Sequence, residues 1–212
     1  GGNFSWNPTT NVFADHLYNG FAQCEIDRVD HGMTGMGALF LSGDLLLGTN
    51  SEGGGHMAGC IYKYSPDSNR IVDAVHMQYS DGAYPKGSLI KVGRKLFGFT
   101  FQGGRNHCGN IVEWDLKTKQ FTERFTFNPY STGNLTKGDP VLWNGKLYGM
   151  NIWGKSFNGG VGNAINRYGT FVGNKRPGDF FSWDPASNVY TSHGSAGFSV
   201  GTPTLFHDKF YS

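Results

Sequence analysis

The chain has 212 residues, 33 of them glycine, with 15% aromatic and 16% charged residues and a net charge of +2. That balance leaves no electrostatic footprint for nucleic acid or an anionic membrane surface. No apolar run approaches the ~20 residues of a membrane-crossing helix.

In chain order, short apolar runs alternate with Gly, Asn and Asp turns, and no long window carries apolar residues at helical spacing. NFSWNPTTNVF (3–13) reads as a strand, a turn and a strand, and ALFLSGDLLLG (38–48) as a tighter hairpin. CIYKYSPDSNRIV (60–72) repeats the first form, and SLIKVGRKLFG (88–98) repeats the second. NIVEWDLKTKQF (110–121), DPVLWNGKLYG (139–149), FFSWDPASNVY (180–190) and TPTLFHDKFYS (202–212) continue the alternation. Aligned on the glycine that opens each unit, Gly37, Gly87, Gly138 and Gly201 stand 50, 51 and 63 residues apart. A period near 50 with four strands per unit is that of propeller blades, not of helical repeats.

The expected fold is therefore all-β, a single β-propeller domain over 1–212 with four blades of four antiparallel strands. The blades fall at about 36–77, 87–127 and 138–195, with a fourth shared between 201–212 and 1–20. Sharing one blade between the termini closes the ring and removes exposed sheet edges. It predicts that Lys209–Tyr211 runs beside Asn3–Trp6.

Trp6, Tyr64, Trp114 and Trp183 share one register of the third strand, and Phe97, Tyr148 and Tyr211 share one of the second. One large ring per unit at an equivalent position reads as packing between sheets rather than a ring of sugar platforms.

Loop length separates two faces. The turns within hairpins are short, whereas NSEGGGHMAG (50–59), QGGRNHCG (102–109) and 153–178 link second to third strands. AQCEIDRVDHGMTG (22–35), QYSDGAYPK (78–86) and NPYSTGNLTK (128–137) link units. In a propeller both classes emerge on one side, and variable polar loops on a rigid frame carry function. The expected ligand-binding residues there are His31, His56, Tyr84, Arg105, Asn106, His107, Tyr130, Trp153, Asn158 and Tyr168. Asp30, Asp81, Lys86, Lys137, Lys155 and Arg167 are their charged neighbours. Rings cover the apolar faces of sugars, and amides and guanidinium bond hydroxyls or carboxylates.

His31, His56 and His107 lack metal-ligand spacing, and neither metal nor cofactor is expected. The adjacent His107 and Cys108 make a poor nucleophile–base pair, since chain neighbours rarely face each other. Few acids (Asp30, Asp81, Glu52) accompany them. Enzyme activity is not the expectation.

KLFGFTFQGGRNHCGNIVEWD (95–115) and, less closely, residues 44–64 resemble the G-x-LYG-x-T…GG…GCG-x-[IV]-F repeat of secreted bacterial proteins, a kelch-like propeller family. The resemblance implies an extracellular propeller and supplies no catalytic residues. The expected function is an extracellular binding or adhesion module with carbohydrate the leading ligand class and protein the other. A propeller glycosidase or polysaccharide lyase and a self-associating structural subunit are the alternatives. Asn3 and Asn134 open glycosylation triplets. Among Cys24, Cys60 and Cys108, a Cys60–Cys108 bridge is the expected pairing in an oxidising compartment.

Overall fold

In the computed structural model, alternating apolar residues between Gly and Asx turns form twenty strands and no helix among the described residues. Those are 2–18, 35, 37–118, 120–154, 164–165, 171–172, 177–197 and 200–212, with backbone alone for 2–4, 15–18, 164–165 and 171–172. His31, Asn158, Tyr168 and Cys24 lie outside them.

The first hairpin joins β1 (Gly2–Asn7) to β2 (Val12–Tyr18). Sheet I runs β3 (Phe40–Ser42), β4 (Leu45–Asn50), β5 (Cys60–Ser65) and β6 (Arg70–His76) in sequence order. Sheet II repeats that order with β8 (Ile90–Val92), β9 (Lys95–Gln102), β10 (Asn110–Asp115) and β11 (Phe121–Thr126). The strap β7 (Ala83–Pro85) is added to the far end of β9. Sheet III has strap β12 (Asn134–Thr136), then β13 (Val141–Trp143), β14 (Lys146–Trp153), β17 (Gly178–Asp184) and β18 (Val189–Gly197). A small ladder, β15 (Ala164–Ile165) with β16 (Phe171–Val172), lies between β14 and β17 in sequence, and β19 (Thr204–Phe206) pairs with β20 (Lys209–Tyr211). All strand pairs are antiparallel.

The register repeats. Leu46 faces Tyr64, Leu96 faces Trp114 and Leu147 faces Trp183. Those three rings are at most 1% exposed. At 150–250 Å² apiece, each contributes about 4–6 kcal/mol of apolar burial. An Asn five residues on, in left-handed backbone, takes the polar edge of two of them: Tyr64 Oη donates to Asn69 Oδ1 (2.7 Å) and Trp183 Nε1 to Asn188 Oδ1 (2.9 Å). Trp6 makes the same bond to Asn11 at 3.1 Å.

Neighbouring sheets meet through two cores. Leu47, Ile61, Leu96 and Trp114 lie between sheets I and II. Phe97, Phe99, Ile111, Phe127, Phe181 and Trp183 lie between II and III, with Phe99 on Phe181 at 5.6 Å and Phe97 on Trp183 at 5.7 Å. Arg124 bridges the same gap. It pairs with the buried Glu113, donates to the Pro185 carbonyl (3.0 Å) and lies over the Trp183 ring.

The unit-opening glycines are laid one on the next. A Cβ on Gly37 would lie 2.5 Å from Ser88 N, one on Gly87 would overlap the Gly138 carbonyl, and one on Gly138 would lie 2.7 Å from the Gly201 oxygen. The residue after each glycine gives its N–H to a side chain of the next unit. Ala38 N donates to Ser88 Oγ (2.6 Å), Ser88 N to Asp139 Oδ1, and Asp139 N to Thr202 Oγ1 (2.8 Å).

Two expectations are corrected. The shared fourth sheet is not formed: β1–β2 and β19–β20 are separate two-stranded ladders, with Trp6 56% and Tyr211 53% exposed. The Cys60–Cys108 bridge is absent, and both thiols are free and buried. By repeat alignment Cys108 matches Ala58 and Cys60 matches Asn110, so the two sulfurs enter different clusters. Cys108 Sγ donates to the Asn106 carbonyl at 3.0 Å, and burial pushes its thiol up to about 11.

Replacing Gly87 by Ala forces a methyl into backbone and should cost about 3 kcal/mol or more. Gly93, at φ 62° with open space around its missing Cβ, should lose only about 1–2 kcal/mol on the same change, the left-handed backbone penalty. Urea denaturation of the two variants checks the contrast. Iodoacetamide labelling followed by peptide mass analysis should find Cys60 and Cys108 unmodified in the native protein and both alkylated, without prior reduction, after unfolding.

Candidate functional site

The loops Glu52–Gly59 and Gln102–Gly109 share one backbone. Gly53, Gly54, Met57 and Gly59 have φ of 80, 75, 56 and 91°, and Gly103, Gly104, His107 and Gly109 have 77, 73, 57 and 86°. The same bonds close both. Met57 N donates to Gly54 O and His107 N to Gly104 O at 3.1 Å, while Gly59 N and Gly109 N reach the first glycine's carbonyl at 3.0 and 3.1 Å. The following strap then docks on the loop, through Tyr84 N to Ala58 O (2.8 Å) and Leu135 N to Cys108 O (3.2 Å).

On this frame the expected residues divide. Asn106 is a staple, its Nδ2 donating to the Phe127 carbonyl at 2.9 Å. His107 stacks on Tyr79 at 5.7 Å, and Tyr84 meets Tyr79 edge-on at 6.3 Å, so these rings hold loop against strap. His56 and Arg105 are exposed at loop tips, Tyr130 is 48% exposed on a connection, and Trp153 is half-buried where β14 ends. No group of three His, Cys, Asp or Glu side chains among the described residues can hold a metal. Asn134 is fully buried in its strap, which closes its glycosylation triplet in the folded state.

A different set converges beside the glycine ladder. Lys86 and Lys137, each immediately before a ladder glycine, are half-buried neighbours, and Lys86 Nζ sits 4.2 Å over the Phe101 ring. Burial, then the charge of Lys137, lowers the Lys86 ammonium below its ordinary 10.5, with Glu52 partly opposing. Glu52, Gln102 and Trp153 occupy one aligned position in three successive units, at the same end of their second strands. Phe101 and Gln102 were absent from the sequence-derived set. The signal for them was present in the repeat alignment, which puts the two lysines at one position and Glu52, Gln102 and Trp153 at another. Two like charges, a ring and an amide in one half-buried strip suit an anionic ligand with an apolar face.

A family model described as a Gloeobacter/Verrucomicrobia repeat matches residues 18–171. No curated protein matches the chain. Among solved structures, two of the extracellular domain of a B. thetaiotaomicron protein, described as a one component system and as a hybrid two component system, align at 9% identity with a TM-score of 0.40. The alignment covers 93% of this chain and 28% of theirs, and a likeness that remote carries no argument. No helix among the described residues is long and apolar enough to cross a membrane.

Between the lowered Lys86 value and 10.5 the unfolded chain binds more protons than the folded one, so this group makes stability rise with pH across that window. Lys86→Gln should flatten the rise relative to the unaltered protein, measured as urea midpoints between about pH 8.5 and 10.5.

Proposed function

Because the chain belongs to the Gloeobacter/Verrucomicrobia repeat family, we propose that its units are blades of one propeller domain and that their long-loop face binds an acidic carbohydrate outside the cell. The observation that carries this reading is the half-buried pair Lys86 and Lys137 beside the glycine ladder, with Lys86 held over the Phe101 ring. Burial, then the charge of Lys137, disfavours the charge on Lys86. A carboxylate or sulfate between them relieves both, and that differential supplies binding energy. Trp153 and Gln102 provide a stacking face and an amide at the rim, while Tyr130, His56 and Arg105 extend the same face outward.

The frame suits recognition. The backbone of the two matched loops is set by glycines and turn bonds, so Gly55 and Arg105, His56 and Asn106, or Glu52 and Gln102 exchange at fixed positions without altering it. Little is then lost to ordering on binding.

A glycan array carrying uronate, sialate, sulfated and neutral sugars should show retention of the acidic classes. Lys86→Gln with Lys137→Gln, and separately Trp153→Ala, should weaken binding by about tenfold or more, which is about 1.4 kcal/mol. Retention of neutral sugars alone, or of none, overturns the reading, and release of cleaved sugar during incubation would move it to the glycosidase or lyase class.

A further inference from the structure

We propose that two copies of this chain pair face to face through the tight-turn ends of sheets I and II, about a twofold axis that lays sheet I of each copy on sheet II of the other. This surface lies at the opposite ends of the strands from the lysine strip, so the proposal does not depend on the carbohydrate reading.

The first observation is a charge pattern that the fold does not require. Sheets I, II and III each have an inner turn between first and second strands and an outer turn between third and fourth. By repeat alignment Asp44, Arg94 and Gly145 share a position in the inner turn, and Asp67, Lys117 and Ala186 share one in the outer turn. Sheet III is uncharged at both positions, so neither turn needs a charge. Sheet I is acidic at both and sheet II basic at both, and all four side chains are exposed.

The second is that the two sheets present these charges in one geometry. Gly43 and Gly93 open the inner turns with the same φ of 62°, and among the described residues nothing lies within 4 Å of a Cβ built on either. The outer turns are closed alike, Ser68 N donating to Ser65 Oγ (3.3 Å) and Thr118 N to Asp115 Oδ1 (3.1 Å). A twofold axis in the plane of this face, running outward between the sheets, exchanges them while keeping inner turn on inner turn and outer on outer. It brings Asp44 to the partner's Arg94 and Asp67 to the partner's Lys117, and each pair is made twice. Had each sheet carried one acid and one base in the same order, that axis would have set like on like.

The third is that the four groups are available. Arg94 Nε lies 3.5 Å from Asp115 Oδ2, yet its side chain is 69% exposed, which leaves the terminal nitrogens of the fork for a second carboxylate. Asp115 is committed to the N–H groups of its own turn. Asp44, Asp67 and Lys117 form no ion pair among the described residues. Exposed ion pairs are individually weak and screened by salt, so four of them set the choice of partner and its orientation more than the tightness.

Sedimentation equilibrium of the unaltered protein should show mass rising from one chain towards two and stopping there. The dissociation constant should increase about tenfold or more between about 0.02 M and 0.5 M salt. Asp44→Arg with Asp67→Lys makes both sheets basic, and Arg94→Asp with Lys117→Asp makes both acidic, in each case with residues that the aligned turn already holds. Either variant alone should associate about tenfold more weakly or worse, and their mixture should recover the association. All four changes together restore the net charge and should associate as the unaltered protein does. A single-chain mass up to about 1 mM at low salt overturns the proposal. So does association that is indifferent to salt, that persists in either two-site variant, or that is lost in the mixture or in the fourfold exchange. Masses beyond two chains overturn the twofold arrangement.

Discussion

Each unit of this protein rests on the next through a glycine with no room for a methyl group. Gly37 on Ser88, Gly87 on Gly138 and Gly138 on Gly201 bring backbone against backbone, and that approach sets how far apart the first strands stand. The wedge between sheets widens from there and is filled by rings: Trp114 and Leu47 in one gap, and Phe97, Phe99, Phe181 and Trp183 in the next. The residue after the glycine ties the contact with an N–H to a Ser, Asp or Thr oxygen, so the bond is made only when successive units are correctly rotated. Close packing explains why the spacing cannot drift: a core at crystal-like density tolerates neither a gap nor an extra methylene without loss.

The far ends of the sheets follow a different rule. There the loops are held by backbone, through paired glycines, left-handed residues at Met57 and His107, and straps that dock by a single N–H. Side chains are relieved of structural duty at some positions and burdened with it at others. Asn106, His107 and Tyr84 act as staples and packing rings, whereas Arg105, His56 and Tyr130 face solvent. Lys86 and Lys137 take their backbone positions from the ladder itself, one residue before its glycines, and Lys86 is further held over the Phe101 ring. A rigid frame with exchangeable contacts spends little conformational entropy on binding.

The pattern of strands was legible in the chain because its causes are local. Trp183-Asp184-Pro185-Ala186-Ser187-Asn188 contains its whole turn: the Asp184 carboxylate accepts from Ala186 and Ser187, and Asn188 takes the left-handed position and the indole N–H. The buried register of Tyr64, Trp114 and Trp183 followed from side-chain alternation and the 50-residue period, and all three are in the core. What the Gly37, Gly87, Gly138 and Gly201 series does was not legible, since alignment shows that a glycine recurs but not what lies against it. Likewise, nothing local distinguishes His107, stacked on Tyr79 in the connection 28 positions earlier in sequence, from the exposed His56.

The sequence by itself therefore determined the all-β class, the four aligned units, the hairpin turns and the aromatic core positions of sheets I, II and III, because turn chemistry and alternation act within about ten residues. It did not determine those of Trp6 and Tyr211, which are exposed. Only the tertiary structure decided which loop side chains are staples, that Cys60 and Cys108 enter separate clusters, and that the first and last hairpins form separate sheets. It also decided that Lys86 meets Lys137 and Phe101. Those outcomes depend on the rotation and separation of one sheet relative to the next, which arise from contacts some 50 residues apart and leave no periodic signature in the chain.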